Sequence, residues 1–143
     1  MVDKRQTILV IDDTPMNIRV LSELLMDDYE VLFATSGADG LKRALSELPD
    51  LILLDIMMPG MDGYEVCQRL KSDPLTADIP VVFVTALSQD ADEAKGLDYG
   101  AIDYIVKPIT PAIALARIRN HLKMKRYQDL LTSQALLDGL TGI

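Results

Sequence analysis

The 143-residue sequence has one cysteine, one histidine and no long apolar run. A single Cys67 excludes an internal disulfide, and its place on an expected helix makes it a small buried apolar residue rather than a redox centre. A membrane-spanning helix needs about 20 consecutive apolar residues, and none of the runs here approaches that. Met1-Val2-Asp3-Lys4-Arg5 leads straight into a strand pattern instead of a signal-peptide core. The expectation is a soluble cytoplasmic protein without membrane contact. Positive charge is also scarce: 14 Lys and Arg stand against 22 Asp and Glu, a net charge of −8. That balance argues against a nucleic-acid surface over the domain as a whole. Locally, Arg117 to Arg126 carries five basic residues and no acid. It reads as a solvated helix face that complements an acidic neighbour. His121, on the same stretch, is expected at the surface rather than as a phosphorylated histidine or metal ligand.

What is present is a βα alternation. With 49% hydrophobic residues, the chain suffices for one domain plus a little, with a core that needs no disulfide or metal. Short apolar runs alternate with amphipathic stretches, the pattern of a parallel sheet covered on both faces. The first strand is Ile8-Leu9-Val10-Ile11. Thr14 then caps a helix with Pro15 at its first position and Ile18, Leu21 and Leu25 on one stripe, ending near Asp27-Asp28. The second strand spans Tyr29 to Ala34. Ser36 opens a second helix with Leu41, Ala44, Leu45 and Leu48 facing inward. The third strand, Leu51-Ile52-Leu53-Leu54, ends in Asp55. Asp62 caps a third helix, with Glu65 completing a capping-box-like arrangement. The fourth strand begins at Pro80 and ends in Thr85. The fourth helix, Gln89 to Tyr99, has few large apolar residues and is the element expected to move most readily. The fifth strand, Ile102 to Val106, ends in Lys107-Pro108. The fifth helix has Thr110 as cap, Pro111 at its first position and a stripe of Ile113, Ala114, Ile118 and Leu122. No Gly or Pro occurs from Ala112 through Asp138, so this helix is expected to extend well beyond the sheet, with apolar spacing too irregular for a regular coiled coil.

In a doubly wound sheet of strand order 2-1-3-4-5, the crevice lies outside the carboxyl ends of the strands where the order reverses. Asp12, Asp13 and Asp55 converge there. Three carboxylates so placed repel by about 4 kcal/mol per close pair at an effective dielectric near 20, so they either take up protons or hold a cation. Oxygen-only ligands on loops, with room for water, suit Mg²⁺. Lys107 adds an ammonium and Thr85 a hydroxyl at adjoining strand ends. A phosphoryl group on a carboxylate would require such a set: a metal to screen charge, an ammonium to neutralise it and a hydroxyl to report it.

Taken together, Asp12-Asp13, Asp55 followed by Met58-Pro59-Gly60-Met61-Asp62-Gly63, Thr85-Ala86 and Lys107-Pro108 resemble the receiver domain of two-component response regulators. The resemblance covers about residues 6 to 123 and implies a flavodoxin-like receiver fold. It implies that Asp55 accepts a phosphoryl group from a histidine kinase, a phosphotransfer protein or a small phosphodonor. It implies Mg²⁺ bound directly by Asp13 and Asp55, through water by Asp12, and by the backbone carbonyl of Met57. A cis Lys107-Pro108 bond also follows from it, as does a switch role for Tyr104, which turns inward as Thr85 moves toward the phosphoryl group. Phosphorylation would rearrange the face of the fourth helix, fifth strand and fifth helix. The sequence departs from the family's frequent pattern at Met57 and Leu87, two positions after Asp55 and after Thr85. Receivers often carry polar residues there, so slow dephosphorylation is expected.

At the C-terminus, Asp138-x-Leu140-Thr141-Gly142 resembles the opening of a diguanylate cyclase (GGDEF) domain. The sequence ends before any Gly-Gly-Asp/Glu-Glu-Phe, so these residues do not themselves make cyclic di-GMP. The expected organisation is a receiver at 1–123 and a helical linker with the first residues of an output domain at 124–143. Phosphorylation-dependent homodimerisation would bring two cyclase domains together; the alternative is a stand-alone receiver acting through protein binding. Two rival classes fit less well. A haloacid-dehalogenase-type phosphatase needs Asp-x-Asp after the first strand, where this sequence has Asp12-Asp13-Thr14. A flavodoxin-like cofactor binder needs a phosphate loop that Asp12-Asp13 would repel.

Overall fold

The computed structural model describes residues 5–86 and 95–140, with side chains described as far as residue 134. Its elements, in chain order, are β1 (Thr7–Ile11), α1 (Pro15–Leu25), β2 (Glu30–Ala34), α2 (Gly37–Glu47), β3 (Leu51–Leu54), α3 (Gly63–Ser72) and β4 (Val81–Thr85). A helical segment at 95–98 (α4), β5 (Asp103–Val106) and α5 (Pro111–Leu140) complete it. The five strands form one parallel sheet in the order β2-β1-β3-β4-β5.

Successive side chains of a strand face opposite ways, and each face here has its own core. Leu9, Ile11, Ile52, Leu54 and Phe83 pack with Val66, Cys67 and Leu70 of α3. Ile8, Val10, Leu51, Leu53, Val82 and Val84 pack with Ile18, Leu21 and Leu25 of α1 and Ala114, Ile118 and Leu122 of α5. Each fully buried Leu or Ile contributes about 1.5–3 kcal/mol relative to exposure. That two-sided burial is why the strands read as continuous apolar runs.

Several local expectations need correction. Leu45 and Leu48 are exposed. The inward stripe of α2 is Gly37, Gly40 and Ala44, because α2 lies so close to β1 that a Cβ on Gly40 would sit 2.6 Å from the Ile11 side chain. Ile113 faces solvent, while Ala114, Ile118 and Leu122 are fully buried. Thr14 occupies the N-cap of α1 without a side-chain capping bond. Asp62 does cap α3, accepting from Glu65 N at 2.9 Å. Glu65 pairs forward with Arg69 at 3.0 Å instead of closing a capping box. α1 ends at Leu25, and β2, β4 and β5 each start one residue later than expected. Most of the expected fourth helix, and Leu87 with it, falls outside the described residues.

Cys67 is buried. Its thiol donates to Tyr99 O at 3.3 Å, and burial pushes its pKa up to about 11. It is therefore an unreactive core residue. α5 is a single helix of 30 residues, about 45 Å long at 1.5 Å per residue. Beyond Leu122 it exposes Met124, Tyr127, Leu130 and Leu131. No helix among the described residues is long and apolar enough to cross a membrane.

Candidate functional site

Register places the site residues side by side. Ile11 pairs with Leu54, so Asp12 and Asp55 leave adjacent strands at the same level, and Asp55 N donates to Ile11 O at 2.9 Å. Thr85 pairs with Val106, and Lys107 N donates to Thr85 O at 2.9 Å. The Lys107-Pro108 bond is cis.

One carboxylate oxygen from each of Asp12, Asp13 and Asp55 lies within 4.8 Å of the others. Asp12 and Asp55 are buried, at 2% and 6% exposure, so their charges are poorly screened by water. Lys107 provides the compensation: its Nζ lies 2.9 Å from Asp12 Oδ2 and 3.6 Å from Asp55 Oδ2. The other oxygen of Asp12 accepts from Thr14 N at 2.9 Å and from Asn17 Nδ2 at 3.4 Å. Burial raises the pKa of Asp55, and Asp12 adds to that, while Lys107 and the backbone amides of Met57 and Ile56 oppose it. The charged pocket is thus under electrostatic tension that one lysine only partly relieves. A hard divalent cation among three oxygen donors relieves such tension, so the donor set fits Mg²⁺.

The loop after β3 is drawn tightly over this pocket. Gly63 N donates to Ile56 O at 2.9 Å, and a Cβ on Gly63 would meet Asp55 O at 2.2 Å. Only glycine lets α3 begin this close to the strand end. Gly60 takes φ +79, a conformation that glycine adopts without steric cost. Met57, in the same loop, is well exposed, although its amide bonds inward to Asp55.

Thr85 is fully buried at the end of β4. Tyr104 is buried on β5, edge-on to Phe83 with ring centroids 6.2 Å apart. α4 crosses both through Gly96, where a Cβ would lie 2.8 Å from the Phe83 ring and 3.5 Å from that of Tyr104. The apolar floor of the site therefore continues directly to the α4-facing surface.

The sequence reading missed a second charged group. Asp103 Oδ2 lies 2.8 Å from His121 Nε2, and its Oδ1 lies 3.3 Å from Arg117 Nη1. Arg117 also donates to Tyr104 O at 2.5 Å. His121 is thus mostly covered and paired rather than a surface residue. The signal was the i, i+4 spacing of Arg117 and His121 on the helix opposite an acid at the start of β5. The rest of the basic stretch behaves as expected: Arg119 pairs with Asp28 at 3.1 Å and Lys125 with Asp129 at 2.5 Å.

Residues 8–119 match the family model of the response regulator receiver domain. The chain is 43% identical over 150 residues to the response regulator PleD of Caulobacter vibrioides, covering 94% of this chain and 33% of that protein. It is also 43% identical over 129 residues to a probable cyclic di-GMP phosphodiesterase of Vibrio cholerae serotype O1, covering 90% of this chain and 29% of that protein. The chain spans about a third of the length of these two relatives. Among solved structures, the BeF3-activated N-terminal receiver domain of Klebsiella pneumoniae RstA superposes with a TM-score of 0.76 at 36% identity, covering 82% of this chain and 98% of that one.

Proposed function

The chain belongs to the response regulator receiver domain family, and from that premise we propose that Asp55 is the phosphoryl acceptor of a switch controlling a cyclic di-GMP output. The observation that carries the acceptor assignment is the buried trio Asp12, Asp13 and Asp55 with Lys107 bridging two of its members. A carboxylate oxygen of Asp55 attacks the phosphorus of a phosphohistidine on a sensor kinase or phosphotransfer protein, or of a small phosphodonor. With phosphohistidine the phosphorus–nitrogen bond breaks, and the imidazole leaves and takes a proton from solvent; with a small acyl phosphate donor the bridging phosphorus–oxygen bond breaks and the carboxylate leaves.

Asp13 and Asp55 would hold Mg²⁺ directly, with the Met57 carbonyl as a further ligand and Asp12 acting through water. Bound there, the cation supplies positive charge against the phosphoryl oxygens. Lys107, already 3.6 Å from Asp55, neutralises a further part of the incoming charge. Thr85 donates its hydroxyl to a phosphoryl oxygen, and Tyr104 follows the space that Thr85 vacates. The consequence is a population shift between two arrangements of the α4, β5 and α5 face. Met57 beside the phosphoryl group, with Leu87 two positions after Thr85, keeps attacking water poorly organised, so the acyl phosphate is long-lived.

Residues 1–123 form the receiver under this reading, and 124–143 the linker and the start of the output domain. The tail Asp138-x-Leu140-Thr141-Gly142 and the unbroken α5 that leads to it support a diguanylate cyclase output activated by receiver pairing. A probable cyclic di-GMP phosphodiesterase matches the same receiver region at equal identity, so the support for a cyclase output comes from the tail and not from the receiver. Exposed Leu97, Ile102, Val106 and Ile113 supply apolar surface for pairing on the α4, β5 and α5 face. The same surface favours the second reading, a stand-alone receiver that binds a different protein there. The protein works in the cytoplasm and needs no nucleic acid or membrane for this role.

Light scattering with and without Mg²⁺ and beryllium fluoride tests the proposal. A monomer that becomes a dimer, and fails to do so as Asp55→Ala, supports activation by pairing. Unchanged mass, with Asp55 shown to carry phosphate, refutes pairing and favours the second reading. Failure of Asp55 to take up phosphate from any donor refutes the acceptor assignment itself.

A further inference from the structure

Met57 is 64% exposed, whereas its neighbour Met58 is 8% exposed. Its amide nevertheless donates to the Asp55 carboxylate, so this accessible thioether is tethered to the acceptor by its own backbone. Its side chain lines a shallow notch with Ile56, Met58, Pro59, Tyr64 and Lys95. Asp62 and Lys95 are the charged residues of the notch, and the rest of its lining is largely apolar. Lys95 Nζ lies over the Tyr64 ring at 4.4 Å from its centroid, which places an ammonium donor at the rim.

We infer that Met57 is an oxidation site through which peroxide shortens the lifetime of the phosphorylated state. The inference rests on Asp55 being the phosphoryl acceptor. In the step itself, the thioether sulfur attacks one oxygen of hydrogen peroxide and the O–O bond breaks. Sulfur loses two electrons and gains one oxygen, and the peroxide is reduced to water. An apolar, flexible side chain becomes a polar one with a strong acceptor oxygen, and reductases for methionine sulfoxide reverse the change. The sulfoxide oxygen has lone pairs enough to take a hydrogen bond from Lys95 and another from water. A water ordered beside the acyl phosphate is better placed for in-line attack than one loosely held against a thioether. Met58, the next residue in the same loop, is protected by burial.

The experiment phosphorylates the full chain with a small phosphodonor, verifies one phosphoryl group on Asp55 by mass, and follows its decay before and after mild hydrogen peroxide. Peptide masses locate each added oxygen. Met16, Met26 and Met124 are also exposed, so Met57→Leu is treated in parallel to separate their oxidation from that of Met57. The expected result is decay about threefold faster or more after oxidation, equivalent to about 0.65 kcal/mol in barrier height. Met57→Leu shows no response to peroxide, and methionine sulfoxide reductase restores the original lifetime. Quantitative oxidation of Met57 with unchanged decay overturns the inference and leaves the acceptor assignment intact. Resistance of Met57 while the other exposed methionines oxidise overturns it equally. If no acyl phosphate forms on Asp55, both readings fall.

Discussion

Replacing Asp55 with Asn removes one member of the carboxylate trio while keeping its shape. With the closest oxygens within 4.8 Å, Asp12 and Asp13 each repel Asp55 by about 3.5 kcal/mol at an effective dielectric near 20. Lys107 at 3.6 Å returns about 4.6 kcal/mol on the same scale. The cost of burying the Asp55 charge, the largest cause of its raised pKa, adds to the repulsion, while Asp13 is only partly buried, so its share is reduced by solvent screening. The residue is a net penalty of about 1–2 kcal/mol on ionised Asp55, and Asp55→Asn should be more stable than the wild type by that amount at neutral pH in a metal-chelating buffer. For a chain of this size the gain is roughly 3–6 °C in thermal midpoint. The pH dependence fixes the cause. The folded-state pKa of Asp55 is raised, so the native state holds a proton where the unfolded chain has released it. The penalty is fully present above the folded pKa and disappears as pH falls through it toward the ordinary range of an unfolded aspartate. The gap between variant and wild type should close over that interval. Adding Mg²⁺ at neutral pH should narrow it from the other side, by stabilising the wild type more. Thermal unfolding followed by circular dichroism reads all three conditions. An Asp55→Asn protein no more stable than the wild type, or a gap that persists at low pH, would refute the electrostatic account.

Lys107→Met leaves Asp12 and Asp55 without their shared cation and should cost about 3–5 kcal/mol in urea unfolding at neutral pH, with part recovered by Mg²⁺; an unchanged midpoint would show that Lys107 does not hold the pocket together. Gly63→Ala forces a methyl group against Asp55 O and should destabilise by roughly 3 kcal/mol through displacement of the loop and the start of α3, whereas wild-type stability would mean that the close approach is dispensable. Met57→Asn should hasten loss of phosphate from Asp55 several-fold in a single-turnover decay assay, and equal decay would remove the explanation for a long-lived phosphorylated state.

The sheet and the acidic trio were legible in the sequence because both follow from simple periodicities. Runs buried on two faces are apolar throughout, and the first polar residues after them, Asp12 and Asp55, must stand at the strand ends. Helix faces were less legible where small residues did the packing. Gly37 and Gly40 carry no hydrophobic signal, yet they let α2 approach Ile11, and that rotates Leu45 and Leu48 outward. Capping was half legible for a similar reason. Glu65 has two possible partners, and the choice of Arg69 depends on side-chain geometry that spacing does not specify.

The Asp103 group shows why the α4, β5 and α5 face was harder to read than the acidic trio. Each of its members looks ordinary alone: an acid opening a strand, an arginine and a histidine on a helix with a basic run. Their meaning lies in the pairing across elements, with Arg117 joined both to Asp103 and to the carbonyl of Tyr104. The backbone of β5 at Tyr104 is thereby tied to α5, while the ring of the same residue lies beneath Gly96 of α4. Under the proposed switch, a displacement of Tyr104 would act on both helices that flank β5, through its ring on one side and its carbonyl on the other. In that proposal, added charge at Asp55 would need no continuous rigid path to be felt there. On the proposed mechanism it would need only to favour one of two packings around Phe83 and Tyr104, because a close-packed core changes between discrete arrangements rather than deforming smoothly.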